Sequence, residues 1–379
     1  MVLSKTSASA NYRARVSSKH SHNQHGEDTS ELIQVPSPAP IAKFWIPGVG
    51  IGKARPSLHW HRGEVYADYS DNYKDWINYA ADVIHYQAQF FPPAPKPAKI
   101  VSKFVNFFSS DSDNLQGGVL DAMNGVYLEG DSSSFVTGSR GKFCKTRKRR
   151  GQLLEVGILV EVYPGGVLEL QSGFSDRFVL PEFLATSPVR RRRQNAEPCA
   201  KRGIGKKTRE RLLQAELSLP PVSITLDNSD LFAQYWIPGT GIGKARPYLH
   251  WHDGRLIKSY SRNYVNWMDH ARAIIRYYSR SYPEAPKPAR VEVKCVNFSS
   301  SDIDNLQGSP LDCMRGVYLG GDSSSYVTDC SGQFYKARKR RGQPKEVGML
   351  VDIFRGEVEE LEAGFTDEFD LPFHMKVSP

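Results

Sequence analysis

The chain lacks the features that mark membrane-spanning, secreted and zinc-stabilised proteins. None of its apolar runs approaches the roughly 18 residues that span a bilayer. No apolar segment follows the basic residues near the N-terminus, as it would in a secretory signal. The five cysteines are odd in number, and no two have Cys-x-x-Cys spacing, which argues against a disulfide framework or a zinc site. We therefore expect a protein of the reducing cytoplasm.

Apolar residues are also scarce in two stretches. Residues 1–41 are rich in Ser, His, Asn and Pro, a composition that buries too little surface to fold, so we predict a disordered tail. Residues 189–231 form a predicted linker, in which positions 190–211 carry ten Lys and Arg against two Glu, a net charge of 10 − 2 = +8. The whole chain carries +9. This concentration of charge indicates a polyanionic partner, with a solvated spacer or a localisation signal as the alternatives.

The folded remainder is an internal duplication. Trp45–Pro188 aligns with Trp236–Pro379 at a constant offset of 191 and without a gap, and more than half of the positions are identical. A repeat of this length is a whole domain and not a solenoid unit. We predict two tandem domains, a first repeat at residues 42–188 and a second repeat at residues 232–379.

Each repeat mixes strands and helices without strict alternation, which favours the α+β class. In the first repeat we predict a strand at 44–46, a strand or hairpin at 58–66, a helix from Asp71 to about Phe90 and a strand at 99–108. A second helix is predicted from residue 113 or 114 to about Gly125, and a hairpin over 135–162 with a basic run at its tip. His59 and His61 alternate on one predicted strand, which suits a metal pair, a DNA-facing strand or a half-buried aromatic strand.

Carboxylates cluster in one stretch of each repeat. Asp111 and Asp113 come where a strand ends and a helix begins, and Asp131 comes where the chain turns back towards the sheet. We expect this path to bring Asp131 beside the other two and to form an oxygen site for Mg²⁺ or Mn²⁺. The equivalent aspartates of the second repeat are Asp302, Asp304 and Asp322. Such an ion promotes phosphodiester hydrolysis by lowering the pKa of a water.

We weigh three other interpretations of these motifs besides a Mg²⁺ or Mn²⁺ site: a helix cap, a calcium-binding loop and a nucleotide-binding loop. Helix capping alone accounts for many Asp-x-Asp-Asn sequences, and Asp121 is either a secondary ligand or an ordinary helix carboxylate. A calcium loop is excluded because Gln116 stands at its glycine position and Ala122 at its twelfth position. The glycines from Gly48 to Gly52 also lack the spacing of a nucleotide-binding loop.

Basic side chains accompany the acidic stretch in both repeats. One pair follows the glycine-rich turn, and a run of four follows a predicted strand; both could hold DNA phosphates, although the turn could also be purely structural. The residues assigned to DNA are Lys53, Arg55, Arg147, Lys148, Arg149 and Arg150 in the first repeat and Lys244, Arg246, Arg338, Lys339, Arg340 and Arg341 in the second.

Each repeat resembles the RusA family of Holliday-junction resolvases. The resemblance covers about Trp45 to Val162 and lies in Gly-Lys-Ala-Arg-Pro from Gly52, Asp-x-Asp-Asn-Leu from Asp111, Asp-Ala-Met-Asn-Gly-Val from Asp121 and Asp-Ser from Asp131. It implies a small α+β endonuclease that acts as a dimer, needs Mg²⁺ or Mn²⁺ and cuts four-way DNA junctions by paired nicks in recombination and repair. It assigns metal binding to Asp111, Asp113 and Asp131, and to Asp302, Asp304 and Asp322.

The chain departs from the family pattern at one position. A functionally important lysine is expected four residues after the second aspartate, where this chain has Gly117 and Gly308. The runs at 147–150 and 338–341 are candidates to replace it.

Fusion of two copies suggests an intramolecular pseudo-dimer with two working sites. We expect branched DNA as the partner and, in a prokaryote, association with the nucleoid. A branched-DNA-binding protein without catalysis and a nuclease of other specificity, acting on flaps or RNA, are the alternatives.

Overall fold

The stretches predicted to lack structure lie largely outside the residues that the structure describes. The computed structural model describes residues 38–53, 56–61, 64–108, 110–185, 226, 228–244, 248–252, 255–298 and 302–376. Of the predicted tail and linker, it describes only residues 38–41, 226 and 228–231. Within the described ranges, no helix is long and apolar enough to cross a bilayer. Residues from Ala39 onward form one compact unit, so the two repeats are described together, and their division into two domains stays a prediction.

The strands and the two long helices occur in the same order in both repeats, and a 3-10 helix of the second repeat stands where the first has a short third helix. The first repeat contains β1 (Ala42–Pro47), β2 (Ser57–His61), β3 (Glu64–Asp68), α1 (Asp71–Ala88), β4 (Ala98–Val105), α2 (Ser112–Met123), β5 (Val136–Thr146), β6 (Gly157–Pro164), β7 (Leu168–Leu170) and α3 (Glu182–Ala185). The second contains β8 (Leu231–Pro238), β9 (Tyr248–His252), β10 (Arg255–Ser259), α4 (Arg262–Ser279), β11 (Ala289–Val296), α5 (Ile303–Met314), β12 (Val327–Ala337), β13 (Gly348–Arg355) and β14 (Glu359–Leu361). Short 3-10 helices span Phe174–Arg177, Phe365–Glu368 and Phe373–Met375. This mixture of helices and a mixed sheet is compatible with the predicted α+β class.

The longest helix of each repeat forms where the apolar spacing predicted it. Ser70 caps α1 by accepting a hydrogen bond from the Tyr73 backbone N–H, at 3.4 Å from Oγ. Trp76, Ala80 and Val83 recur at helical spacing and are buried. Burial of this stripe packs α1 against β1 and α2.

The strands on either side of the basic run do not form the predicted hairpin. β4 lies between β5 and β6, parallel to β5 and antiparallel to β6. The hairpin prediction over 135–162 was therefore wrong. The reason is that β4 is buried along most of its length and needs backbone partners on both edges, so it separates two strands that are close in sequence.

A single ten-stranded sheet runs through both repeats. Its main path is β1-β6-β4-β5-β12-β11-β13-β8, and its centre is the antiparallel pair of β5 and β12, which we call the seam. Helices α2 and α5 pack against each other over the seam, and each contacts both β5 and β12. The N-terminal end of each helix is thereby brought to the other repeat.

Each repeat also reaches across the seam with its C-terminal part. β7 pairs with β12 of the second repeat, and β14 pairs with β5 of the first. We call residues 168–178 and 359–369 the exchanged arms. Glu346 accepts hydrogen bonds from the backbone N–H of Gly173 at 3.0 Å and of Ser175 at 3.1 Å. Glu155 accepts the equivalent bonds from the second arm, so the arms tie the repeats together in both directions.

Candidate active site

The acidic stretch places a carboxylate before α2 and before α5. It caps no backbone N–H and accepts instead from the helix side chain of Asn114 or Asn305. Asp111 is the N-cap residue of α2, in extended conformation, yet its side chain makes no capping hydrogen bond. Asp302 stands in the same way before α5. Asp113 and Asp304 follow in the first helical turns and are buried. Because a capping residue normally uses its side-chain oxygen for this bond, helix capping does not account for these aspartates.

The third aspartate of each set comes from the other repeat. Asp111 forms an isolated β-bridge with Ser323, which places the neighbouring Asp322 beside it. We expected Asp131 of the same repeat beside Asp111, and this expectation was wrong because Asp322 takes that place. The cause is the packing at the seam, which directs the start of α2 towards the loop before β12.

The resulting groups are named by their members. Centre 1 consists of Asp111, Asp113 and Asp322, and centre 2 consists of Asp302, Asp304 and Asp131. All six aspartates predicted from the sequence are therefore found at two centres, each shared between the repeats.

Negative charge is concentrated at both centres. Burial raises the pKa of Asp111, and the carboxylates of Asp322 and Asp113 raise it further. Burial and the carboxylates of Asp131 and Asp304 act in the same way on the pKa of Asp302. The Oδ1 atom of Asp304 is buried without a hydrogen-bond partner. The aspartates of each centre therefore repel one another.

A lysine from the glycine-rich turn lies against each centre. The Nζ atom of Lys53 is 3.1 Å from Oδ2 of Asp304, in the other repeat, and 2.9 Å from Oδ1 of Asp121. Lys244 mirrors it, with Nζ 2.9 Å from Oδ2 of Asp113 and 3.7 Å from Oδ1 of Asp312. The sequence assigned both lysines to DNA phosphates, and their place at the carboxylates was missed.

The ion pairs of Lys53 outweigh the cost of its burial. Burial alone would lower the pKa of Lys53, but Asp304 and Asp121 together raise it above its ordinary value. The ammonium therefore stays charged at neutral pH. Asp121 also accepts a hydrogen bond from the Tyr73 hydroxyl at 2.7 Å, so it serves as a partner of the lysine.

The glycines that depart from the family pattern make room for these contacts. A Cβ atom at Gly117 would lie 2.9 Å from Cδ of Lys53 and 3.1 Å from Oδ2 of Asp304. At Gly308 it would lie 2.6 Å from Oδ2 of Asp113. A larger residue at either position would have to displace the lysine or the carboxylate. Lys53 can therefore occupy its position beside Asp304 because residue 117 is a glycine.

The basic runs are divided between the arms and solvent. Arg149 donates to the carbonyl of Ala363 at 3.0 Å and pairs with Asp367 at 2.6 Å, and Arg340 pairs with Asp176 at 2.6 Å. Arg147 and Arg338 pair with Glu360 and Glu169 of the opposite arms. All members of the runs except Arg149 and Arg340 are exposed. Arg147 and Arg149, suggested as replacements for the family lysine, are thus engaged with the second arm.

Two residues assigned to DNA are not described by the structure. Arg55 and Arg246 lie outside the described residues. The same holds for most side chains of the His-Trp-His strands, although β2 and β3 form the predicted hairpin.

The donors at the centres suit a hard divalent cation. Among the described residues, no three His, Cys, Asp or Glu side chains converge closely enough to hold an ion without movement. Carboxylate oxygens are nevertheless the preferred ligands of Mg²⁺ and Mn²⁺. The unpartnered Oδ1 of Asp304 and the raised pKa values of Asp111 and Asp302 are features that such a cation would relieve. The chemistry of these donors therefore fits the ion, and the carboxylates would have to move closer together to bind it.

The two centres differ at one residue beside them. Arg315 pairs with Asp322 of centre 1, at 3.4 Å between Nη1 and Oδ2. The equivalent residue near centre 2 is Asn124, which carries no charge. One aspartate of centre 1 therefore has a competing cation that centre 2 does not have at the same position.

Comparison of the chain with models of known protein families gives no match, and comparison with curated proteins gives none either. Function is therefore inferred from the geometry of the two centres.

Proposed function

We propose that the chain is a Mg²⁺- or Mn²⁺-dependent endonuclease that resolves four-way DNA junctions by paired nicks. The observation that carries this proposal is the pair of acidic centres on one continuous sheet, each built from both repeats. A four-way junction has two strands of like polarity related by a two-fold axis. Two equivalent centres related by an internal duplication match that symmetry, as two subunits of a RusA-like homodimer would.

Each centre has the groups that phosphodiester hydrolysis requires. Asp111, Asp113 and Asp322 would hold the cation at centre 1, and Asp302, Asp304 and Asp131 would hold it at centre 2. A bound divalent cation supplies a Lewis acid that lowers the pKa of a water and offsets charge on the phosphate. Asp113 and Asp304 are buried in the first turns of packed helices, which fixes their positions.

The lysines fill the role that the family pattern gives to position 117. Lys53 brings a positive charge to centre 2, and Lys244 brings one to centre 1. A cation at this distance from the carboxylates orients them and can stabilise charge that develops on the phosphate. The exposed basic residues 148, 150, 339 and 341 would contact the DNA backbone outside the centres.

One observation favours a second candidate, a branched-DNA-binding protein without catalysis. The ammonium groups of Lys53 and Lys244 contact the carboxylates on which cation binding depends. If they held those carboxylates permanently, the centres would be structural ion pairs and DNA binding would remain the function.

A supercoiled plasmid that extrudes a cruciform separates the two candidates. Two nicks made in one encounter linearise the plasmid, whereas a single nick relaxes it to an open circle and removes the cruciform. We expect linear product with Mg²⁺ or Mn²⁺ and none with EDTA. The double variant Asp113→Asn and Asp304→Asn, one change in each centre, should bind the junction without nicking it. A wild-type chain that binds the junction but never nicks it would favour the second candidate.

A further inference from the structure

The seam carries charges of opposite sign on its two strands. Lys142 of β5 lies opposite Asp329 of β12, and Arg140 lies opposite Ser331. Arg140 reaches diagonally to Asp329, with Nε 2.9 Å from Oδ1 and 3.2 Å from Oδ2. Only 8% of the Asp329 side chain is exposed, so this pair is largely shielded from solvent. The hydrogen bond to Asp329 raises the pKa of Arg140 above its ordinary value.

A second ion pair crosses the seam beside the first. Lys142 pairs with Glu359 of the second arm. Lys103 of β4 lies 3.5 Å from the same carboxylate. The arm thus adds a negative charge at the point where β5 supplies positive ones.

None of the four charges in the pairs Arg140–Asp329 and Lys142–Glu359 is present at the equivalent position of the other repeat. The offset of 191 relates Arg140 to Ser331, Lys142 to Gln333, Asp329 to Gly138 and Glu359 to Leu168. At these positions the first repeat supplies cations and the second supplies anions. Both partners of each pair are therefore present only when unlike repeats meet.

The register shows what a seam between like repeats would contain. Two first repeats in this register would place Arg140 directly opposite another Arg140 and would contain no Asp329. Like charges directly opposite each other destabilise an antiparallel pair. Two second repeats would place Ser331 opposite itself and lose both cations.

The steric fit also disfavours a seam between two second repeats, which would place Asp329 where the glycine lies. Gly138 lies opposite Gln333, whose Nε2 atom donates to the carbonyl of Gly166 at 2.7 Å. A Cβ atom at Gly138 would clash with Oε1 of that glutamine. The glycine of one strand therefore accommodates the glutamine of the other.

We propose that the seam is a selective interface, through which a first repeat pairs with a second repeat in preference to another first repeat. The partner it fits is an acidic strand edge with Asp329 and an arm with Glu359. The selectivity comes from electrostatic complementarity and from the repulsion that a pairing of first repeats would create. This inference does not depend on the proposed nuclease activity.

The test makes the two strands of the full-length chain alike and then reverses them. The like-seam variant changes the second repeat to the residues of the first: Asp329→Gly, Ser331→Arg, Gln333→Lys and Glu359→Leu. The reversed-seam variant adds Gly138→Asp, Arg140→Ser, Lys142→Gln and Leu168→Glu, so that the charges are restored with the strands exchanged. Urea unfolding measures both, because urea carries no charge and leaves electrostatic effects unscreened.

We expect the like-seam variant to lose roughly tenfold or more in its folding equilibrium constant at low salt, because the partly buried cations Arg140 and Lys142 lose their partners. The loss should shrink at high salt, which screens repulsion. The reversed-seam variant should recover most of the wild-type stability. A like-seam variant as stable as wild type would overturn the proposal. So would a reversed-seam variant no more stable than the like-seam variant, because the charge pairing would then not be the cause.

Discussion

At the seam the two repeats carry different residues, whereas at the acidic centres they carry the same ones. Asp111, Asp113 and Asp131 all recur at the offset of 191, but Arg140 and Asp329 do not. In a homodimer every residue on a two-fold axis must face its own copy, so Arg140 would face Arg140. A duplicated chain is free of that constraint at the seam while keeping two matched centres. The comparison separates the residues that we propose to serve chemistry from those that we propose to serve pairing.

The largest expected effect concerns which aspartates work together. Because each centre is shared, Asp113→Asn combined with Asp322→Asn should disable centre 1 alone and leave open-circle product from centre 2. Asp113→Asn combined with Asp131→Asn should disable both centres and abolish nicking. Cruciform cleavage measures both variants. If each repeat formed a centre by itself, the two double variants would exchange their outcomes, so either result is decisive for the shared arrangement.

The next prediction concerns Lys53 and Lys244, each of which contacts an aspartate of the other repeat. In a chain with Asp113→Asn, only centre 2 remains, and Lys53→Gln should lower its nicking rate about 100-fold, a typical cost of losing one charge-stabilising group. Lys244→Gln should have little effect in that chain and the large effect in a chain with Asp304→Asn. Lys53→Arg should restore part of the rate because it keeps the charge. Equal effects of both lysines in both chains would contradict the assignment.

A smaller difference is expected between the two centres themselves. Arg315 competes for Asp322, and its side chain is 65% exposed, so the ion pair is partly screened. Arg315→Asn should tighten Mn²⁺ binding at centre 1 by about three- to fivefold, the scale of an exposed ion pair. Electron paramagnetic resonance of Mn²⁺ in a chain with Asp304→Asn measures this. The converse change, Asn124→Arg, should weaken centre 2, and an unchanged affinity in both would show that Arg315 does not compete.

The smallest effect is on the stability of the metal-free protein. The folded-state pKa values of Asp111 and Asp302 are raised, so their ionisation costs stability, and this cost is complete above those pKa values. Asp111→Asn should therefore raise the melting temperature at pH 7 in EDTA by on the order of 1–2 °C, with no gain at acidic pH below the unfolded-state pKa. Asp82→Asn, on the exposed face of α1, is the matched control. A lower melting temperature for Asp111→Asn would contradict the claim that burial and the carboxylates of Asp322 and Asp113 disfavour the ionised form of Asp111.

Local patterns in the sequence predicted much of each repeat. The spacing of Trp76, Ala80 and Val83 located α1, and Gly125 follows the end of α2 with a positive φ of 75°, as a helix-terminating glycine does. The six aspartates of the centres were also identified, because their recurrence at one offset distinguishes them from isolated helix caps.

Contacts between distant parts of the chain could not be predicted in this way. The insertion of β4 between β5 and β6 depends on backbone pairing that leaves no periodic signal. The place of Asp322 beside Asp111 depends on two helices packing over a seam that neither repeat forms alone. Arg149 was assigned to DNA because its partner, Asp367, lies 218 positions away and gives no local signal. In each case the deciding interaction joins segments that are not neighbours in sequence.

The sharing of the centres has a genetic consequence. A loss-of-function change at Asp131 and one at Asp304 would fall in different halves of the coding sequence but inactivate the same centre. Two changes within the first half, at Asp111 and Asp131, would inactivate different ones. Mutations that inactivate one centre would therefore lie on both sides of the boundary between the repeats. Complementation between truncated halves would require both halves to fold together, since neither half encodes a complete set of the proposed ligands.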